Sequence, residues 1–231
     1  MSRPTAAADL PGLTTAIRST GDLVDIFVMV MEDIVVPKMS QEADNYYLMS
    51  EDGITVAFLN LCFGVCEQYG FNVSNAENSN GKADFVVRSL SKPCVTHPGE
   101  AKMLDPDKSK DRTSEWYLSG LSALTKRFVR LEGGFAVLAC WCKQDIETKR
   151  RIKKEVFEFR WEKALPGRES PDESSIFHSS HDTPNGQTEV LHMWLNLYSP
   201  HKENALAAEK KRWKELREAR RQQGAGGDES N

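Results

Sequence analysis

The chain has 231 residues, 39% hydrophobic and 28% charged, with ten Phe, five Trp and five Tyr. That is enough apolar material for one domain with appendages, and it excludes wholesale disorder. Thirty Lys and Arg against 34 Asp and Glu give a net charge of −4, which excludes a protein that coats nucleic acid by bulk positive charge and leaves only a local basic face.

In chain order, the first predicted element is a helical region over 12–40, followed by a linker through Gln41–Tyr47. Its apolar stretch, Leu23 to Val36, carries Asp25, Glu32 and Asp33 and is too short to span a bilayer. It reads as a buried helix ended by Pro37, with a dimer interface as the alternative use of its apolar face. A second helix is predicted from Glu51 to Tyr69, with Ser50 as N-cap and Gly70 at the C-terminal cap. Ile54, Phe58, Leu61, Cys62, Val65 and Tyr69 recur in it at helical spacing.

The period then shortens to that of strands. Phe71–Ala76 and Ala83–Leu90 read as a pair joined by a polar turn, and Cys94 to Leu104 as a third extended segment. A helix follows from Ser114 to Leu131, with Leu118, Leu121, Leu124 and Phe128 on its buried stripe. The apolar run from Phe135 to Cys142 predicts a central strand covered on both faces. A charged helix (Glu147–Trp161), a long loop (Leu165–Gln187), a strand (Thr188–Tyr198) and a last helix (Glu203–Gln223) complete the series, with a disordered tail from Gly224. The expected architecture is α/β: a mixed central sheet flanked by helices, with helical additions at both ends. The expected organisation is an N-terminal helical region over 1–49, an α/β core over 50–200 with a flexible loop at 165–187, and a basic helix and tail over 201–231.

Five cysteines, an odd number with no CxxC pair, do not resemble a secreted disulfide framework or a structural zinc site. Cys62 and Cys66 share a helix face and Cys140 and Cys142 a strand face, and both pairs read as small buried hydrophobes. His178 and His181 fall in the predicted loop, with no second ligand pair nearby. Met1 to Pro11 lacks the apolar core of a signal peptide. The expected location is intracellular, cytoplasmic or nuclear, with no membrane partner.

The chemistry concentrates in two short segments, Gly81 to Val87 and Gly99-Glu100-Ala101-Lys102. Asp84 is an acid inside an apolar strand, and Glu100 and Lys102 are two apart, so an extended backbone points both to one face. Pairing of the two strands brings Asp84 beside them. Two carboxylates with a backbone carbonyl, that of Ala101, suit Mg²⁺ or Mn²⁺, and a lysine beside such an ion suits phosphodiester hydrolysis by metal-activated water. Pro98 has no N–H for a sheet ladder, so this strand is expected to start late, bulge or lie at an edge.

These residues, in this order over roughly 50–142, resemble the PD-(D/E)XK nuclease superfamily, which has a restriction-endonuclease-like fold. The resemblance implies Asp84 and Glu100 as metal ligands, Lys102 as the catalytic lysine and Glu51, at the start of the first core helix, as an auxiliary ligand. It implies an endonuclease with Mg²⁺ or Mn²⁺ as cofactor, acting on DNA in preference to RNA, and a homodimer is a common arrangement. RNA cleavage, or a degenerate module that binds nucleic acid or a protein without cutting, are the alternatives. Lys126, Arg127 and Arg130 after the motif are candidate nucleic-acid contacts, with Trp116 and Tyr117 expected to seal their helix onto the sheet. Arg150, Arg151, Lys153 and Lys154 form a second basic cluster. Lys210, Lys211 and Arg212 lie on a C-terminal segment, 202–231, with eight Lys/Arg against six Asp/Glu, a net of +2 that leaves −6 on residues 1–201. A bound divalent ion would offset part of that negative charge.

Overall fold

The computed structural model describes residue 17 and residues 19–76, 83–91, 94, 96–105, 110–127, 135–160, 175–183 and 186–225. Helix α1 (Thr20–Val30) opens with a capping box in which Ser19 and Asp22 bond each other's backbone N–H. Pro37 does not end the helical run. A π-helical turn, Met31–Val35, runs without a break into α2 (Val36–Gln41), and this local change of helical hydrogen bonding accommodates Pro37, which has no N–H to give. A short α3 (Ala43–Tyr46) leads to α4 (Glu51–Cys66). Ser50 caps α4 by accepting from the Gly53 N–H at 3.1 Å, and after a 3₁₀ turn Gly70 takes the left-handed conformation (φ 82°) that ends it.

Six strands form one sheet in the order β1-β2-β3-β4-β6-β5. Strands β1 (Phe71–Asn75), β2 (Phe85–Ser89) and β3 (Thr96–Leu104) are antiparallel neighbours. Strands β3, β4 (Phe135–Cys142) and β6 (Gly186–Asn196) run parallel, and β5 (Ile176–Thr183) lies antiparallel at the edge. Helices α5 (Lys110–Arg127) and α6 (Ile146–Arg160) connect the parallel strands, and α7 (Pro200–Ala225) closes the described chain. The expected mixed sheet with flanking helices is present.

Three expectations are corrected. The stretch read as a loop over 165–187 contains β5, a polar strand that pairs with β6 from Ile176↔Met193 to Thr183↔Gly186. His178 and His181 therefore sit on a strand. The last helix begins at Pro200 and runs through Gly224 to Ala225, where a tail was expected. The rest of the predicted loop (165–174 and 184–185) and of the tail (226–231) lies outside the described residues.

Side chains divide between the two sheet faces by strand alternation. One face packs Phe85, Val87, Ala101, Met103, Val137, Ala139 and Trp141 against α1 and α4. Phe27 of α1 lies 5.9 Å from Phe71 and 6.2 Å from Phe135 between ring centroids, so the apolar segment of 23–36 is core and is continuous with the sheet. The other face packs Leu104, Leu138, Cys140 and Trp194 against Tyr117, Leu121 and Leu124 of α5 and Ile152 of α6.

Gly99 is where two strands meet a core ring. A Cβ there would fall 2.1 Å from Phe85 Cε2, and that ring is itself packed against Phe58 at 5.5 Å. Gly99→Ala is expected to cost about 2 kcal/mol in urea unfolding, as overpacking does, with Phe85→Leu in the same chain restoring part of the loss.

Pro98 is accommodated because β3 has different neighbours along its length. Its first half pairs with β2, and the ladder to β4 starts only at Gly99↔Val137. The side chain of His97 reaches the start of β4 instead. Its Nδ1 lies 3.3 Å from the Phe135 N–H and 3.1 Å from the Phe135 carbonyl, and its ring stacks on Phe135 at 4.0 Å. Burial pushes the His97 pKa down to about 4 from 6.5, outweighing the Phe135 carbonyl. Unfolded His97 therefore takes up a proton that the folded chain refuses. Its contribution is intact above pH ~6.5 and falls as the pH drops to about 4, by roughly 3 kcal/mol. Burial lowers His192 as well, with the same sign. Urea midpoints are expected to drop between pH 7 and 4.5, and His97→Phe is expected to reduce that drop; an equal drop in the variant would contradict the assignment.

Candidate active site

Strand β2 ends against β3 at the pair Phe85↔Gly99, so Glu100 to Leu104 have a strand neighbour, β4, on one side only. The backbone N–H groups of Ala101 and Met103 face the side that β2 has left. Each is taken by a carboxylate. Asp84 Oδ2 accepts from Ala101 N at 2.7 Å, and Glu51 Oε2 accepts from Met103 N at 2.6 Å. Charge-assisted bonds of this kind satisfy an otherwise unpaired strand edge. Because N–H and C=O of one strand residue point the same way, the Ala101 carbonyl faces that edge too.

The side chains of Glu100 and Lys102 project from the α5 face of β3. They are 9% and 7% exposed and form an ion pair of 2.7 Å between Oε1 and Nζ. Trp116 of α5 covers them from outside. Its indole N–H donates to Glu51 Oε2 at 3.2 Å, and Lys102 Nζ lies 4.8 Å from its ring centroid. Tyr117 seals α5 onto the sheet as expected, whereas Trp116 remains 40% exposed and belongs to the site. Gly120 gives Lys102 its room, since a Cβ there would sit 2.9 Å from Lys102 Cγ and 3.0 Å from Leu138 Cδ1.

Two anchors hold this arrangement. Phe58 of α4 packs between Phe85 and Trp141, with centroids 5.5 and 5.3 Å away, and Trp141 Nε1 donates to Thr55 Oγ1 at 3.0 Å. That fixes the helix start from which Glu51 reaches β3. On the other face Tyr117 OH meets His192 Nδ1 at 2.5 Å and accepts from Trp194 Nε1 at 2.9 Å, while Ser179 Oγ bonds the Nε2 atoms of both His192 and His181. These bonds fix α5, and with it Trp116.

Sequence-predicted residues thus separate into groups. Glu51, at the start of α4, and Asp84, just before β2 and not within a strand as expected, both reach the open edge of β3 at Ala101 and Met103, while Glu100 and Lys102 are buried on the α5 face of the same strand. Lys210, Lys211 and Arg212 are exposed on α7. Lys126 and Arg127 are in the last turn of α5, with side chains outside the described residues, as is Arg130 altogether. In the second basic cluster Arg150 and Lys154 are exposed, but Lys153 is 1% exposed and lies over the Phe177 and Trp194 rings. Of the cysteines, only Cys94 is exposed, and burial pushes the Cys142 thiol up to about 11, so Cys142 is not an activated nucleophile.

The donors on the β3 edge are carboxylates and a carbonyl, hard oxygens that suit Mg²⁺ or Mn²⁺, with no thiol or imidazole among them. Asp84, Glu100 and the Ala101 carbonyl are oxygen donors of the kind such an ion takes, with Asp84 bonded to the Ala101 N–H and Glu100 to Lys102. Among the described residues no three His, Cys, Asp or Glu side chains come together as a ready-made cage. None of the described helices is long and apolar enough to cross a membrane. No protein-family model matches the chain, and no curated protein or solved structure was found similar to it.

Proposed function

We propose that the chain is a divalent-metal-dependent endonuclease with a restriction-endonuclease-like core, cutting phosphodiester bonds in DNA in preference to RNA. The observation that supports this best is the half-open edge of β3, where Asp84, Glu100, the Ala101 carbonyl and Lys102 sit at the end of β2. A buried acid and lysine on a strand, next to a second acid spent on the neighbouring N–H, are costly to place there for stability alone.

Asp84, Glu100 and the Ala101 carbonyl would hold Mg²⁺ or Mn²⁺, which when bound acidifies water and offsets charge on the phosphate. Lys102 stands within hydrogen-bond reach of Glu100 and donates to the attacking oxygen or the phosphoryl group, its ammonium kept in place by the Trp116 face and the gap at Gly120. Glu51 is a positioning residue in this reading. It ties Met103 of β3 to the Trp116 indole, and so sets the cover over Lys102. The exposed lysines and arginine of α7 contribute phosphate contacts.

One observation favours a second reading, a module that binds without cutting. Lys102 already neutralises Glu100, and Asp84 and Glu51 each spend an oxygen on backbone N–H groups. Incubation with supercoiled DNA, single-stranded DNA and RNA, in Mg²⁺ or Mn²⁺ and with excess EDTA, separates the two. Cleavage that needs the metal is the expected result; intact substrate in all three cases, with binding retained, establishes the module instead.

A further inference from the structure

A cleft lies beside the β3 edge. It is half-open, with a volume of about 520 Å³, at the carboxyl ends of β3 and β4, a usual place for ligands in open α/β sheets and of a size that holds one small molecule. One wall is the segment from Tyr47 to Ser50, which immediately precedes Glu51. The opposite wall is the start of α7, and the floor includes Met103, next after Lys102.

The lining has a definite chemical character. Its charged groups are Asp105, Lys143, Glu203 and Lys210, two of each sign. Lys143 is 4% exposed; its Nζ donates to the Met49 carbonyl at 2.5 Å and lies 6.0 Å from the Tyr47 ring centroid. Asp105 and Lys143 directly follow the paired residues Leu104 and Cys142, and the Lys143 N–H donates to the Leu104 carbonyl at 3.0 Å, so the two sit side by side at the strand ends. Burial lowers the Lys143 pKa and Asp105 opposes that lowering. At the rim Leu48 and Met49 are 65% and 40% exposed.

A phosphate or other compact anion is disfavoured, because the lining is neutral overall and places two carboxylates in the cleft. An alkyl chain is disfavoured too, since it would desolvate the ammonium and the carboxylate without replacing their hydrogen bonds. What fits is a flat, uncharged ring with apolar faces for Met49, Met103 and Leu48 and a polar edge carrying adjacent donors and acceptors. A nucleobase has that form. Among the four common bases, guanine alone presents two neighbouring N–H donors, N1 and N2, beside an acceptor, O6, which matches a carboxylate next to an ammonium. A base in a duplex has that edge occupied, so only an unpaired or extruded base can enter.

We propose that this cleft binds one unpaired nucleobase, guanine in preference, with Asp105 accepting from its N–H edge and Lys143 donating to its carbonyl. The proposal rests on the nuclease reading and deepens it: the substrate is single-stranded or locally opened at the nucleotide beside the cut.

The test uses free nucleosides and no divalent ion, so it does not depend on cleavage. Guanosine, adenosine, cytidine and uridine are titrated into the full chain in EDTA and followed by calorimetry and ligand-observed NMR. Guanosine is expected to bind about tenfold or more tightly than the others, and Asp105→Asn, shown by circular dichroism to be folded, is expected to remove that preference. Lys143→Met is a second variant, expected to weaken guanosine with its folding checked by circular dichroism. Absence of nucleoside binding at millimolar concentrations, or equal binding of all four unchanged by Asp105→Asn, overturns the proposal. Guanosine binding without any nuclease activity leaves the base site standing and removes the nuclease reading; cleavage without nucleoside binding does the reverse.

Discussion

Lys102→Met is expected to lower metal-dependent cleavage by about a thousandfold, in the range found when a positioned proton donor or charge is removed. The same variant is expected to lose about 3 kcal/mol of stability, because it leaves Glu100 buried opposite an uncharged chain. The two effects separate in the double variant Glu100→Gln/Lys102→Met. Replacing both partners by uncharged groups of similar shape returns most of the stability but none of the activity. Unfolding midpoints in urea and single-turnover cleavage rates, measured on the same preparations, check both parts. Recovery of cleavage along with stability in the double variant would show that Lys102 serves only the fold.

The second large effect is at Asp84. In Asp84→Asn the amide oxygen still accepts from the Ala101 N–H, so stability is expected to change by less than about 1 kcal/mol. The charge that a divalent ion needs is gone. Since changing the partners of a metal ligand already costs ten- to a hundredfold in affinity, losing the ligand itself is expected to cost about a hundredfold or more, with cleavage falling in step. Asp84→Ala also strands the Ala101 N–H at a half-covered edge and is expected to cost a further 1–2 kcal/mol or so. A metal affinity that is the same in wild type and Asp84→Asn would place the ion elsewhere.

The elements that position the site were legible because their signals are local. The apolar run Phe135–Cys142 is β4 to the residue, Ser50 and Gly70 cap α4 where their types place them, and the two-residue spacing of Glu100 and Lys102 puts both on one face. Strand β5 was hidden because it is an edge strand. With a hydrogen-bonded neighbour on one side only, it carries His178, Ser180, His181 and Asp182 in place of an apolar run. Pro98 signalled an irregularity, but its resolution, a strand whose neighbour changes at Gly99, depends on where β4 begins.

The contacts that make the site specific are long-range. Glu51 bonds the Met103 N–H across 52 positions and the Trp116 indole across 65, which no periodicity reports. Gly120 carried a usable sign: a glycine inside a predicted helix costs about 1 kcal/mol against alanine and has a packing reason when it is kept. Here the reason is the Lys102 side chain. Lys143, by contrast, gave no sign at all. It follows an apolar strand like any surface lysine, and only the packing of Tyr47 and Met49 against it makes it a buried group.

Whether the β3 edge is a metal centre is tested most directly by calorimetric titration of Mn²⁺ into the full chain, run alongside Asp84→Asn. The expected result is saturable binding to the wild-type chain that the variant weakens by about a hundredfold while remaining folded. No heat of binding at millimolar Mn²⁺, or equal binding by both proteins, would contradict it.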